Sequence, residues 1–213
     1  MNRPYIWVEG IIAAGKSTLA EALAKALNLR ALHEPVDSNP YLGKFYKDPK
    51  RWAYAMQIHL LAVRYGMQQL AAYESTCGDQ YNGVVLDRGL PGDRVFARML
   101  TLSGHIDPLE WETYQMFYKI MTCSLIPPSL MIYLNVEPEI AFERCEKRRR
   151  PEEEGIKLDY LKDLHKGYLD LIAEIESGMH PWARGMSIMR VAWNSDYQPI
   201  EPIVQALKDK FHI

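Results

Sequence analysis

Apolar residues in this chain alternate between short unbroken runs and longer stretches in which they recur every three or four positions. The first run, Tyr5-Ile6-Trp7-Val8-Glu9, is rich in β-branched and aromatic residues. It is followed by Gly10 and then by helical spacing over about 15–27. That order predicts strand, turn, helix. Similar short runs lie at 31–33, 84–86, 130–134 and 187–191. Each is near-continuous, as strands buried on both faces of a parallel sheet are. Helical spacing fills the intervals over roughly 49–73, 93–102, 108–124, 138–148, 158–176 and 200–211. Pro49, Pro108 and Pro138 stand where a first helical turn tolerates a missing N–H, each just after an acidic residue. The alternation predicts an α/β fold: a doubly wound parallel sheet of about five strands with helices on both faces.

Length and composition narrow this picture. A chain of 213 residues suits one domain with a full core, so residues 1–213 are expected to form a single unit. With 48% hydrophobic and 24% charged residues, and 13 each of Gly and Pro, disorder and collagen-like repeats are excluded. A net charge of -2 argues against a nucleic-acid coat or a polybasic membrane patch, either of which needs a basic excess. Cys77, Cys123 and Cys145 lie far apart without metal-ligand spacing. No disulfide framework or zinc site is expected, and a reducing, cytoplasmic setting fits best. The apolar start at Tyr5 meets Glu9 and Lys16 too soon for a signal peptide or membrane span.

The sharpest chemical signal is Gly10-Ile11-Ile12-Ala13-Ala14-Gly15-Lys16-Ser17, which fits G-x-x-x-x-G-K-[ST] between a predicted strand and a predicted helix. Two glycines let the backbone wrap an anion, and N–H groups from Ala13 to Thr18 and the helix N-terminus point at it. Lys16 bridges phosphate oxygens, and the Ser17 hydroxyl can ligate Mg²⁺. The loop therefore predicts binding of a nucleoside triphosphate such as ATP.

Two further strands end in acids. His33-Glu34-Pro35 puts a carboxylate at the carboxyl edge of the sheet, where it could accept the proton of an attacking hydroxyl; an isolated Glu-Pro is more often a surface turn. Leu86-Asp87-Arg88-Gly89 offers a carboxylate for Mg²⁺ or its waters and a guanidinium for charge on a transferring phosphoryl group. The alternative there is a structural ion pair. In the dense charge run over 144–154, Arg144 and Arg148 share a helical face and Arg150 ends it. Such arginines can form a lid over phosphates or simply a solvated helix end.

Taken in order, these stretches resemble the deoxynucleoside kinase family of deoxycytidine, deoxyguanosine and deoxyadenosine kinases over nearly the whole chain. The resemblance rests on the phosphate loop with Glu9, on Glu34-Pro35-Val36, on Phe45-Tyr46 to Trp52 with Gln57 and Arg64, on Asp87-Arg88 with Asp93-Arg94, and on 144–161. It implies that Glu34 is the base for the 5′-hydroxyl of a deoxynucleoside. Tyr46 and Glu153 would hold the 3′-hydroxyl, Gln57 the base edge, and Arg144, Arg148 and Arg150 the lid. The stretch from Asn194 through Asp196 and Tyr197 would contact the donor base. Arg64 and Asp93 form a pair that accompanies purine- or cytosine-using members. The resemblance is greatest to bacterial and phage deoxyadenosine and deoxyguanosine kinases and implies nucleotide salvage.

Two departures stand out. The family's Glu-Arg-Ser is here Asp87-Arg88-Gly89, and its Gly-Asn-Ile is Gly10-Ile11-Ile12. Apolar stripes at Trp52, Tyr54, Met56, His59, Leu60 and Leu61, and at Trp111, Tyr114, Phe117, Tyr118 and Met121, read as core or as a homodimer bundle. A thymidylate-kinase-type enzyme shares the loop and the lid, but an anionic acceptor would be repelled by Glu34. A GTPase-like switch would need an Asn-Lys-x-Asp motif that this chain lacks.

Overall fold

The computed structural model describes residues 3–34, 39–150, 155–183 and 185–213. In chain order the elements are β1 (Tyr5–Glu9), α1 (Lys16–Leu27), β2 (Arg30–Leu32), α2 (Leu42–Lys47), α3 (Pro49–Thr76), β3 (Val84–Asp87) and α4 (Leu90–Leu102). They continue with α5 (Pro108–Thr122), β4 (Leu130–Asn135), α6 (Pro138–Arg148), α7 (Leu158–Glu176), β5 (Ser187–Ala192) and α8 (Glu201–Phe211). All strand pairings are parallel, in the order β2-β3-β1-β4-β5.

β1 and β3 are buried throughout, and β4 is buried except at Asn135. A strand with no exposed face must be covered on both sides, so helices flank both faces of the sheet. The main core joins Ile6, Trp7 and Val8 to Leu19 and Leu23 of α1 and to Tyr168, Leu171 and Ile172 of α7. The two edge strands depart from the unbroken burial that their apolar runs predict. β2 is half-buried, and β5 exposes Ser187, Arg190 and Ala192. An edge strand lacks a neighbour along one side, and Arg190 uses that freedom to pair with Glu176 at 2.6 Å.

Register places the chemistry. Trp7 pairs with Leu86, and Leu86 with Leu32, so these three residues are level across β1, β3 and β2. Two residues onward, Glu9, Arg88 and Glu34 reach the carboxyl edge side by side, because side chains repeat every second residue.

Helix α2 was not predicted: it has six residues, only Phe45 is buried, and no period is readable at that length. Helix α4 begins three residues before the expected start. Pro91 sits in its first turn, and Asp93 is therefore a first-turn acid, favoured by the helix dipole. Helix α3 starts at Pro49 with Asp48 as N-cap, the carboxylate accepting from Arg51 N–H at 3.2 Å. Its 28 residues run past the sheet edge, and its inward face carries buried Gln57, Arg64 and Gln68 among apolar residues. Among the described residues no helix is long and apolar enough to cross a membrane.

Because the Asp48 cap anchors the first turn of the helix that carries Gln57 and Arg64, Asp48→Ala should lower stability by about 0.5–2 kcal/mol. Urea unfolding checks this, and an unchanged midpoint at unchanged slope would count against it.

Candidate active site

The glycine loop after β1 is bent around a space its own backbone encloses. A Cβ on Gly10 would lie 2.9 Å from the Leu134 carbonyl oxygen, and one on Gly15, at φ 92°, would lie 2.9 Å from Trp193 Nε1. Both positions therefore require glycine. Ala13 adopts φ 59°, a left-handed conformation costly for alanine. Gly15 caps α1 without a side-chain acceptor, which leaves the first helical N–H groups directed at the loop's interior. Lys16 Nζ donates to the Ile11 carbonyl at 2.8 Å. Burial, reinforced by Arg88, pulls its amine down to about 7, although Asp87, Glu9 and Glu34 act the other way.

Beside this loop the strand ends form a chain of opposite charges. Ser17 Oγ donates to Asp87, and His33 Nδ1 lies 3.9 Å from the same carboxylate. Glu34 is clamped between two guanidinium groups: Arg64 Nη2 donates to Oε1, and Arg88 Nε lies 3.3 Å from Oε2. Burial alone would raise the Glu34 carboxyl, but Arg64 and Arg88 outweigh it and hold the group below the usual carboxylate range. Arg64 also donates to Asp93, whose other oxygen accepts from Tyr114 Oη. Asp93 has no exposed surface, and burial pushes its carboxyl up against the pull of Arg64.

Arg88 adopts φ 71°, unusual for a residue with a Cβ. Its Nη1 donates to Tyr168 Oη at 2.7 Å, and its guanidinium lies 4.7 Å from the Phe96 ring centroid. Tyr168 Oη in turn donates to Glu9 Oε2 at 2.9 Å, and the Gly89 N–H donates to Glu9 Oε1 at 2.6 Å. Sequence reasoning assigned no role to Glu9 or Tyr168. Glu9 is an acid ending an otherwise apolar central strand, which was a readable signal, whereas Tyr168 sits in an ordinary apolar helical stripe.

The predicted base-reading residues face the same region. Gln57 is 1% exposed, and among the described residues its Oε1 and the Arg64 Nε find no hydrogen-bond partner. Tyr46 is half-buried and close enough to Tyr160 to help burial hold that hydroxyl protonated, and Arg88 also acts on Tyr160. Glu153, with Pro35 and Val36, lies outside the described residues.

The arginines after β4 divide. Arg144 Nη2 donates to the carbonyls of Trp193 at 3.0 Å and Ser195 at 2.9 Å, and its Nε lies 3.9 Å from Asp196. It thus ties α6 to the loop after β5, which reaches the phosphate loop through Trp193. Arg148 and Arg150 are exposed, and so are Asp196 and Tyr197, the last 84% exposed. A separate cleft of about 330 Å³ between α4 and α7 is lined by Arg94, Arg98, Met99, Lys166 and Glu174 and shares none of the residues above. No cluster of three or more His, Cys, Asp or Glu that could hold a metal occurs among the described residues.

The arrangement can hold a polyphosphate at the glycine loop and an ionised carboxylate next to it, with an arginine between. Comparison with known proteins identifies the family. The deoxynucleoside kinase family model matches residues 6–208. Deoxyadenosine kinase of Dictyostelium discoideum is 35% identical over 207 residues, covering 97% of this chain and 79% of that one. Deoxyadenosine/deoxycytidine kinase of Bacillus subtilis is 34% identical over 171 residues, 79% of this chain and 76% of that one. The structure of deoxyadenosine kinase from M. mycoides with bound dATP superposes with a TM-score of 0.78 at 26% identity, over 98% of this chain and 99% of that one.

A depressed Lys16 amine predicts proton linkage. At pH 8 the amine, held at about 7, is mostly neutral in the free protein, while an anionic triphosphate alongside favours the ammonium form. ATP binding at pH 8 should therefore take up a fraction of a proton. Calorimetric binding enthalpies in buffers of different ionisation heat measure it, and zero uptake would refute the depressed amine. The sign for stability agrees: from about pH 7 to the unfolded lysine value the unfolded chain holds more protons at this site, so the Lys16 contribution to stability rises with pH.

Proposed function

The chain belongs to the deoxynucleoside kinase family and phosphorylates deoxynucleosides; we propose that it moves the γ-phosphoryl group of ATP to the 5′-hydroxyl of a purine deoxynucleoside, with Glu34 as the base. The observation that carries this reading is the double guanidinium clamp on Glu34, which keeps an ionised carboxylate at the sheet edge beside the glycine loop. A clamped carboxylate is a weak base, but phosphoryl transfer proceeds through a loose transition state that asks more for alignment and charge stabilisation than for early proton removal. Glu34 orients the hydroxyl and takes its proton as the bond to phosphorus forms. Arg88 touches Glu34 and is placed to stabilise charge on the transferring group, with Lys16 bridging the donor phosphates.

Ser17 and Asp87 offer hard oxygen donors next to the loop, a chemistry that fits Mg²⁺. When bound, that ion would neutralise charge on the donor phosphates. Asp87 is one carbon shorter than the family's glutamate, and its contact with Ser17 supports its reaching the same place. Arg148 and Arg150 would close over the phosphates, while Asp196 and Tyr197 flank the donor base on a loop that Arg144 steadies. Tyr46 and Glu153 are assigned to the 3′-hydroxyl.

For the base, Gln57 Oε1 and Arg64 Nε are unsatisfied hydrogen-bonding groups at the wall of the acceptor region, and Asp93 holds Arg64 in place. A buried Arg-Asp pair suits the donor and acceptor edge of a purine or cytosine better than thymine O4 and methyl. Relatives named for deoxyadenosine, deoxyguanosine and deoxycytidine support this preference.

A homodimer is proposed through α3 and α5. Of the aromatic stripe on α5, Tyr114 and Tyr118 point into the protein's own core; the outward face carries Leu109, Met116, Phe117 and Ile120, the first 73% exposed. That apolar face, with Tyr73 of α3, is what a second copy would cover. Cys77, Cys123 and Cys145 are free thiols, which supports a cytoplasmic salvage enzyme.

Glu34→Gln keeps size and hydrogen bonding but cannot take a proton, so kcat should fall by about 10²-fold or more while nucleoside binding changes little. Retention of most of kcat would remove Glu34 from the mechanism. With the four deoxynucleosides and ATP, kcat/KM should rank deoxyadenosine or deoxyguanosine first, deoxycytidine next and thymidine last. Asp93→Ala with Arg64→Met should move the ranking toward thymidine, and an unchanged order would show that the pair has no say in selectivity.

A further inference from the structure

Below Arg88 lies a second set of buried groups. Glu9 and Tyr168 have no exposed surface, come from opposite ends of the chain, and meet under the site. Hydrogen bonds run in one direction through them: Arg88 Nη1 to Tyr168 Oη at 2.7 Å, then Tyr168 Oη to Glu9 Oε2 at 2.9 Å. The second Glu9 oxygen accepts the Gly89 N–H at 2.6 Å, which fixes the peptide immediately after Arg88. Both the guanidinium and the backbone of Arg88 are therefore tied to one carboxylate.

The backbone shows that this tie holds a conformation the chain would not otherwise choose. Arg88 sits at φ 71°, and such outliers persist where surrounding structure over-determines them. Gly89 is closed to any side chain, since a Cβ would lie 2.7 Å from the Trp7 ring. At Gly92 a Cβ would lie 2.7 Å from Glu9 Oε2 and 2.8 Å from Tyr168 Oη. Two glycines thus make room for the same pair of groups. Tyr168 is further fixed by stacking on Tyr133, with ring centroids 5.9 Å apart.

We infer that Glu9 and Tyr168 are positioning residues of the phosphoryl-transfer step: through Tyr168 Oη and the Gly89 N–H they lock Arg88 in the left-handed conformation that aims its guanidinium at Glu34 and the transferring phosphoryl group. The inference rests on the reading above that Arg88 acts on the reacting groups. Tyr168 hydrogen-bonds to Arg88 and Glu9, so its effect passes through them, whereas Glu9 also bears electrostatically on the Lys16 amine. Burial keeps the Tyr168 hydroxyl protonated, as the direction of the hydrogen-bond chain requires.

The test is a double-mutant cycle on the full-length enzyme. Tyr168→Phe keeps the ring and removes the hydroxyl; Arg88→Lys keeps the charge and removes the fork. Tyr168→Phe should lower kcat on the order of 10-fold or more, as a small misplacement of a reacting group does. KM for the nucleoside and for ATP should stay within roughly threefold, because ground-state contacts are untouched. In the double variant the loss should be no greater than that of Arg88→Lys alone, since both act as one unit. Additive losses, or a full kcat in Tyr168→Phe beside a lowered one in Arg88→Lys, would overturn the inference and leave the role of Arg88 intact. A wild-type kcat in Arg88→Lys would overturn both. Glu9→Gln, which keeps an acceptor for the Gly89 N–H but loses the charge, supplies an independent arm if Tyr168→Phe folds poorly. It should show the same kcat loss at near-constant nucleoside KM, and a change confined to thermal stability would reduce the pair to a structural role.

Discussion

The whole site hangs on a row of buried opposite charges at the carboxyl edge of the sheet. Asp93, Arg64, Glu34 and Arg88 alternate in sign, each within ion-pair distance of the next, with side chains at most 13% exposed. Charges that far from water cannot persist singly: removing one partner from a buried pair costs about 3–5 kcal/mol, because the other is left uncompensated. The row is therefore all-or-nothing, and it fixes the geometry of α3, α4 and the ends of β2 and β3 relative to one another. Tyr114 at one end and Tyr168 at the other terminate it with hydroxyls, one donating to Asp93 and the other accepting from Arg88.

That constraint explains where the backbone is unusual. Strained or glycine-only positions occur at the strand ends that deliver these charges, Gly10, Ala13 and Gly15 after β1 and Arg88, Gly89 and Gly92 after β3; others, such as Gly83, Gly167 and the left-handed helix caps Asn28, Arg149 and His212, lie elsewhere. Elsewhere the fold follows ordinary rules, with buried apolar strands, proline-started helices and an acid cap on α3 and α5. A non-glycine residue held at positive φ outside a helix cap, as Ala13 and Arg88 are, persists only where its surroundings over-determine it.

The same division governs what could be read from sequence. Strand and helix positions were legible because apolar runs of period one and stripes of period 3.6 are imposed by burial on each segment independently. The phosphate loop was legible because its chemistry is local: Gly10 to Ser17 do everything within eight residues of chain. Glu34, Asp87 and Arg88 could be placed because strand ends face ligands. Helix α2 was missed because one buried residue makes no period. The exposure of β5 was missed because strand order, and hence which strand is an edge, is not written in the strand itself. The stripe on α5 stayed open between core and dimer for a related reason: Tyr114 and Tyr118 look like any apolar stripe until Asp93, twenty-one residues earlier in the chain, comes back to hydrogen-bond with Tyr114. Tyr168 and Glu9, 159 residues apart, could not be joined without the fold.

Charge balance also bears on why the acceptor is a neutral molecule. The four residues that wall the acceptor region carry two positive and two negative charges and so sum to zero, each sign already satisfied by its neighbours. Lys16, by contrast, faces the phosphate loop with a backbone carbonyl as its hydrogen-bond acceptor, and Arg148 and Arg150 stand exposed at the end of α6. The acceptor side is thus electrically closed by its own pairs, and the glycine loop, with its helix N-terminus and Lys16, is the part of the site that can take up an anion. An uncharged nucleoside enters the first without disturbing any pair. A nucleoside monophosphate would bring a dianion against Glu34 and Asp93 and would have to pull Arg64 or Arg88 out of its pairings, against a Coulomb attraction of about 4 kcal/mol per close pair at an effective dielectric constant near 20. On the reading proposed above, the polyphosphate donor meets the opposite conditions, at the helix N-terminus and Lys16. On that reading the asymmetry distinguishes the two subsites, since the half that tolerates added negative charge is the one suited to the donor.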